Sequence, residues 1–296
     1  MSPLGRPKGE TEALQREGMP VTEPLLLVRR QVLQPATAGA VLHLTLNRPE
    51  ARNAMSLALV DALLAALAEA EAAGDVRAIV LRGAGGNFCA GGDLKDMAAA
   101  RARSMNGDRT GEDPFERISA RFGELCVAFA NTGIATIALL QGAVMGGGFG
   151  LACVVDVALA SADARFRLPE TSLGVLPAQI APFLVERLGP AEARRLAVTG
   201  ATLDGAQALA MGLVHELLPD AESLEAAAER TLAGILRCAP QALAATKRLI
   251  AQARWQPAPT LVPAAAQAFA RALLGDEGVE GTLAFLQKRP AYWVPQ

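Results

Sequence analysis

From Leu125 to Val155 the chain runs 31 residues without a formal charge. A stretch of that length suggests a membrane span. It also holds Asn131, Thr132 and Gln141, and six glycines interrupt it, three of them consecutive at Gly146-Gly147-Gly148. A spanning helix would not break itself so often without partners. A buried strand, a glycine turn and a buried helix fit the pattern better.

The flanking sequence reads the same way. Leu25–Arg30 and Ala40–Leu46 are the two strands of a hairpin-like start. After a Pro-containing loop, Ser56 is a good helix N-cap. Leu59, Val60, Leu63, Leu64 and Leu67 then lie on one helical face, and Gly74 supplies the stop. Ala78–Arg82 is a short buried strand, Gly83–Gly92 is glycine-rich, and Asp93 opens a helical stretch. Between Ala98 and Pro114 the sequence turns polar, with Arg101, Arg103 and Arg109, and a mobile loop is expected there. A helix from about Pro114 to Asn131 leads into the strand Ala135–Leu140 and the glycine triplet. VVDVALAS and ARFRL are strand-like, and from about Leu196 the pattern is mostly helical. Strands alternating with helices, then a run of helices, indicate an α/β core with a helical C-terminal part. The expected divisions are a flexible extension over 1–22, the core over 23–200 and helices over 201–296.

Composition removes several function classes. Hydrophobic types make up 51% of the 296 residues and aromatics only 4%, so the core is built of small aliphatic side chains. Lys and Arg number 28 against 30 Asp and Glu, which argues against nucleic-acid binding. The N-terminal stretch lacks the apolar run of a signal peptide, and a membrane association is not expected. The widely spaced Cys89, Cys126, Cys153 and Cys238 read as reduced thiols of a cytoplasmic protein. His43 and His215 each sit alone in an apolar run, so no metal site and no cofactor are expected.

Two turns remain as places for chemistry, Cys89–Asp93 and Gly142–Gly148. Each links a strand to a helix. Glycine lets backbone N–H groups approach a ligand, and a helix N-terminus adds a positive dipole end. Facing each other, the turns would make an oxyanion hole. Each turn alone reads equally well as tight strand–helix packing. A Walker loop is excluded because no Gly-Lys-Ser/Thr follows.

Taken with their neighbours, the turns become specific. LNRPEARNAMS, AIVLRGAGGNFCAGGDLKDM, QGAVMGGGFGLACVVDVALAS, ARFRLPETSLGVLP and EGTLAFLQKR occur in that order. Over about Leu25 to Arg289 the chain resembles the enoyl-CoA hydratase/isomerase (crotonase) superfamily. The resemblance implies a spiral of ββα turns and C-terminal helices that assemble a homotrimer or a dimer of trimers (a hexamer). It implies an acyl-CoA thioester polarised by the N–H groups of Gly92 and Gly147, with no cofactor beyond the substrate's own coenzyme A. Ala90, Asp93 and Leu94, at the first turn, are expected to bind the substrate or its CoA, and Met97 and Phe122 are expected to give apolar room to the acyl chain. Lys95 and Lys288 match basic positions near the CoA phosphates, and Arg52 substitutes where Glu50 replaces a common lysine.

The family's hydratases use two glutamates. The position of the first is Gly150 here, so Glu170 is the one family carboxylate left. A lone glutamate fits either hydration or the 1,3-proton shift of an isomerase. Some family members bind RNA or are catalytically silent. GGGFGLAC, LPETSLGVLPAQIAPFLVERLG and EGTLAFLQKR look most like bacterial hydratases of 3-branched glutaconyl-CoA esters, the isohexenylglutaconyl- and methylglutaconyl-CoA hydratases. Such a substrate needs a partner for its distal carboxylate, and Arg101, Arg103 or Arg109 is expected to supply it.

Overall fold

The structure, a computed structural model, describes residues 23–105 and 113–296. Its strands are β1 (Leu26–Val32), β2 (Ala40–Leu46), β3 (Val76–Gly83), β4 (Ala135–Leu140), β5 (Ala143–Met145), β6 (Val157–Ser161), β7 (Arg165–Arg167), β8 (Thr202–Leu203) and β9 (Glu216–Leu218). The helices are α1 (Leu57–Ala73), α2 (Leu94–Met105), α3 (Pro114–Asn131), α4 (Gly147–Val154), α5 (Ala181–Thr199), α6 (Gly205–Ala210), α7 (Ala221–Leu236), α8 (Pro240–Ala253), α9 (Ala258–Leu274) and α10 (Asp276–Leu286).

A six-stranded sheet has the order β1-β2-β3-β4-β6-β9. Only the β1–β2 pair is antiparallel; the rest run parallel. Parallel strands are covered on both faces. That is why β2, β3 and β4 read as nearly unbroken aliphatic runs. A second, three-stranded sheet has the order β5-β7-β8, and single bridges from Met55 to Gly92 and from Cys89 to Val144 continue it. Each turn of the chain thus gives one strand to the first sheet and one short pairing to the second, then a helix. The result is the expected spiral of ββα turns.

Between the layers lies a core of Leu44, Leu46, Leu59, Leu63, Leu81, Leu125, Phe129 and Phe149, all fully or almost fully buried. Phe149 of α4 meets Phe166 of β7 edge to face, with ring centroids 6.3 Å apart. This contact seats α4, which carries the glycine triplet at its start. The four cysteines are free thiols, three of them buried. No helix among the described residues is long and apolar enough to cross a membrane.

Two expectations need correction. The polar segment after Ala98 does not open as a loop, because α2 continues to Met105. Asp93 accepts the Lys95 N–H at 2.7 Å, as an N-cap does, and Asp96 accepts the Leu57 N–H at 2.8 Å. With its start tied at two points, an Ala-rich run propagates as helix. Residues 106–112, with Arg109, lie outside the described residues, as do 1–22. The core also continues past residue 200. Strand β9 pairs with β6, and Leu224, Ala227 and Leu236 of α7 pack on Val80, Ile137 and Leu159 to close a second core.

Candidate active site

The two glycine turns lie side by side. Cys89 donates its N–H to Ala143 O at 2.9 Å, and Met145 donates to Cys89 O at 2.9 Å. Positive φ at Gly91 (+102°) and Gly146 (+50°) lets the backbones close up. A Cβ on Gly146 would come within 3.4 Å of the Gly91 Cα.

This pairing frees the two amides singled out in the sequence. In the Met55–Gly92 bridge, Met55 N–H goes to Gly91 O and Asp93 N–H to Met55 O, so the Gly92 N–H is turned away from the ladder. Gly147 is the first residue of α4 and has no acceptor within its helix. Among the described residues neither amide makes a hydrogen bond. The α4 dipole adds positive potential at Gly147.

Glu170 comes to the same place from the second sheet. Gly146 N–H is held by Arg167 O at 3.0 Å, and three residues later Glu170 opens a short 3-10 turn. Its Oε1 lies 2.9 Å from where a Gly146 Cβ would stand, at the residue before Gly147. Its Oε2 is buried and has no hydrogen-bond partner among the described residues. Burial pushes the carboxyl above the ordinary glutamate range, and a bond from its own backbone offsets only part of that.

Hydrocarbon frames the slot. The Met97 Cε stands 2.7 Å from a Cβ built on Gly92, and the Phe122 ring stands 3.3 Å from one built on Gly147. At Gly150 a Cβ would meet Ile180 Cγ1 at 3.0 Å and Phe122 Cζ at 3.4 Å. The place where the resemblance puts a hydratase's first glutamate is therefore filled by Ile180 and Phe122. Ile180 was not foreseen, since nothing in sequence joins it to a glycine 30 residues earlier.

The remaining candidates divide. Ala90 donates its N–H to Arg52 O at 2.9 Å, which brings these two together beside the first turn, with the Arg52 side chain exposed. Lys95 is exposed on α2. The Asp93 carboxylate, expected at the substrate or its CoA, is buried against Arg48 at 2.6 Å. Lys288 is exposed at the end of α10, and no hydrogen bond joins it to the glycine turns among the described residues. Arg101 is exposed on α2, while the side chains of Leu94 and Arg103 lie outside what is described. His43 bonds Gln31, and His215 accepts the Ala158 N–H. Among the described residues no three His, Cys, Asp or Glu side chains gather as a metal site.

Comparison with known proteins shows the family. The profile of the family described as Enoyl-CoA hydratase/isomerase matches residues 36–296. The chain belongs to that family. It is 51% identical to AtuE of Pseudomonas aeruginosa, with a TM-score of 0.84, covering 92% of this chain and 100% of that one. An enoyl-CoA hydratase/isomerase from Marinobacter aquaeolei is 45% identical with a TM-score of 0.84, covering 91% and 99%. Among curated relatives, the 2,3-dehydroadipyl-CoA hydratase of Escherichia coli is 32% identical over 250 residues, 84% of this chain and 93% of that protein. The chain is thus an enzyme of the enoyl-CoA hydratase/isomerase family.

Proposed function

We propose that the enzyme adds water to a 2-enoyl-CoA thioester, with Gly92 and Gly147 as oxyanion donors and Glu170 as the single acid–base. What supports this reading is that Glu170 Oε1 lies 2.9 Å from where a Gly146 Cβ would stand, in the turn that ends at Gly147 and packs on Gly91, with its carboxyl held above the ordinary range by burial. Water attacks C3 as the Glu170 carboxylate takes its proton. The electron pair of the C2=C3 bond moves onto the thioester oxygen, where the two N–H groups meet the developing charge. Glu170 then returns the proton to C2, the C=O reforms, and the enzyme is left as it began. A raised pKa makes the carboxylate a stronger base toward water, and a value shifted toward the working pH lets the same group hold the proton until it is returned to C2.

The proposed acyl group is a 3-branched glutaconyl type. The named substrate of the Escherichia coli relative likewise carries a distal carboxylate. In this reading Met97 and Phe122 accept the apolar branch, and Arg101, Arg103 or Arg109 meets the carboxylate. Lys95, Arg52 and Lys288 serve the CoA phosphates. A second reading, the 1,3-proton shift, is favoured by the hydrocarbon at Gly150, which leaves one carboxylate at the slot.

The deciding experiment is a panel of crotonyl-, 3-methylglutaconyl- and isohexenylglutaconyl-CoA, followed by hydration rate and product analysis. Hydration fastest on a glutaconyl ester is expected. Faster hydration of crotonyl-CoA than of both glutaconyl esters removes the carboxylate assignment, and double-bond migration without water uptake selects the isomerase. Neither step asks for a metal or a redox cofactor, so activity is expected to survive exhaustive EDTA treatment. Loss restored by a divalent ion would overturn that.

A further inference from the structure

The residue after Gly92 is a buried charge. Asp93 is 6% exposed, and its Oδ2 lies 2.6 Å from the Arg48 Nη2. The same guanidinium donates from Nη1 to Ala54 O at 2.7 Å. The other carboxylate oxygen accepts the Lys95 N–H at the start of α2. Arg48 is in turn fixed through its N–H, which Asn53 Oδ1 accepts at 2.8 Å. Asn53 is fully buried and donates to Ala84 O and Asn87 O, in the loop that leads to the first glycine turn.

The backbone is pinned on both sides of Gly92. Met55 N–H holds Gly91 O at 2.7 Å, and Met55 O holds the Asp93 N–H at 3.1 Å. Asp93 is ionised against the cost of its burial because Arg48 and the Lys95 and Asp96 N–H groups outweigh that cost. Removing one partner of a buried, hydrogen-bonded pair leaves the other uncompensated, and the structure around it shifts. An amide donor aimed at a developing charge tolerates little displacement.

We propose that Arg48 and Asp93 form a positioning pair that aims the Gly92 N–H at the thioester oxygen and fixes the start of α2, which holds Met97 over the slot. Neither side chain touches the substrate. The pair works through the peptide between Gly91 and Asp93. This inference rests on the reading of Gly92 as an oxyanion donor.

The test uses cinnamoyl-CoA, a conjugated enoyl thioester whose absorption moves to the red when its carbonyl is polarised. Bound to the wild-type enzyme, it is expected to show that shift. Asp93→Asn keeps a helix-capping group but loses the charge, and Arg48→Met loses the cation. Both are expected to lose most of the red shift and to lower kcat roughly 10- to 100-fold, less than the ~10²- to 10³-fold of a donor removed outright, while KM moves little. Arg48→Lys retains charge and is expected to recover part of both. Asp93→Asn with full red shift and turnover overturns the pair, as does a lowered Tm with an unchanged shift in the folded protein. If neither Asp93→Asn nor Arg48→Met folds, Arg48→Lys decides, since an undiminished shift there also overturns it. No red shift in the wild type means instead that the oxyanion reading itself has failed.

Discussion

Glu170 sits where its charged form is poorly solvated, with Oε2 buried and unpartnered among the described residues. That serves the chemistry and works against the fold. The folded carboxyl holds its proton above the ordinary value of 4.5. The stability this contributes is fully present below that value and is lost as pH rises through the folded pKa. Glu170→Gln keeps the shape and abolishes the ionisation. It is therefore expected to melt above wild type at neutral pH, with the gap closing once the pH falls below 4.5. Its turnover should drop about 10²- to 10⁴-fold while acyl-CoA binding survives. The acid limb of kcat/KM in wild type is expected above the ordinary glutamate range. A variant that keeps more than half the wild-type rate would mean that another group is the base.

At the scale of elements, α4 separates packing from chemistry within two residues. A Cβ on Gly148 would lie 2.7 Å from both the Cβ and the backbone oxygen of Cys89. Gly148→Ala is thus expected to destabilise by about 1–3 kcal/mol through overpacking, read as a lowered Tm. One residue earlier, a Cβ on Gly147 meets the edge of the Phe122 ring at 3.3 Å and Met55 Cβ at 3.9 Å, side chains that can give way. Gly147→Val should fold and lose about 10²- to 10³-fold in kcat through the blocked donor. Should Gly147→Val fold and remain active, this amide has no part in catalysis. The glycine turns were legible in the sequence because each joins an aliphatic strand to a helix start, and α3 and β4 fell where their patterns put them. What escaped was set by long-range contacts. The persistence of α2 through Arg101 depends on the tie from Asp96 to Leu57, 39 residues back. The buried partner of Asp93 is Arg48, which sits in a loop motif that read as CoA-binding. Ile180 fills the space beside Gly150 from another element, and β9 joins the sheet within a stretch that reads as mostly helical.

At the scale of the whole molecule, the surface is uneven. Beyond α7 the helices α8, α9 and α10 present Trp255, Phe269, Leu274, Phe285 and Leu286 to solvent, with Phe285 at 84% and Leu274 at 81% exposed. A groove of about 630 Å³ between them is lined by Phe269, Leu273 and Trp293. Scattered exposed apolar residues are ordinary, but several large ones on consecutive helices around an apolar groove suit an interaction surface. The end of the chain is itself well anchored. The buried Arg77 guanidinium donates to Ala38 O, Leu236 O, Cys238 O and Trp293 O. A firmly held set of helices with an apolar outer face fits a permanent interface with further copies of the chain, and the expected assembly is a homotrimer or a dimer of trimers. Sedimentation equilibrium at micromolar concentration is expected to give a multiple of three chains. Placing charge on the face with Phe285→Lys and Leu286→Lys together should shift the population toward single chains without loss of secondary structure, since both side chains are more than three-quarters exposed in one copy. A wild-type protein that sediments as a single chain would leave these helices without the role argued for them.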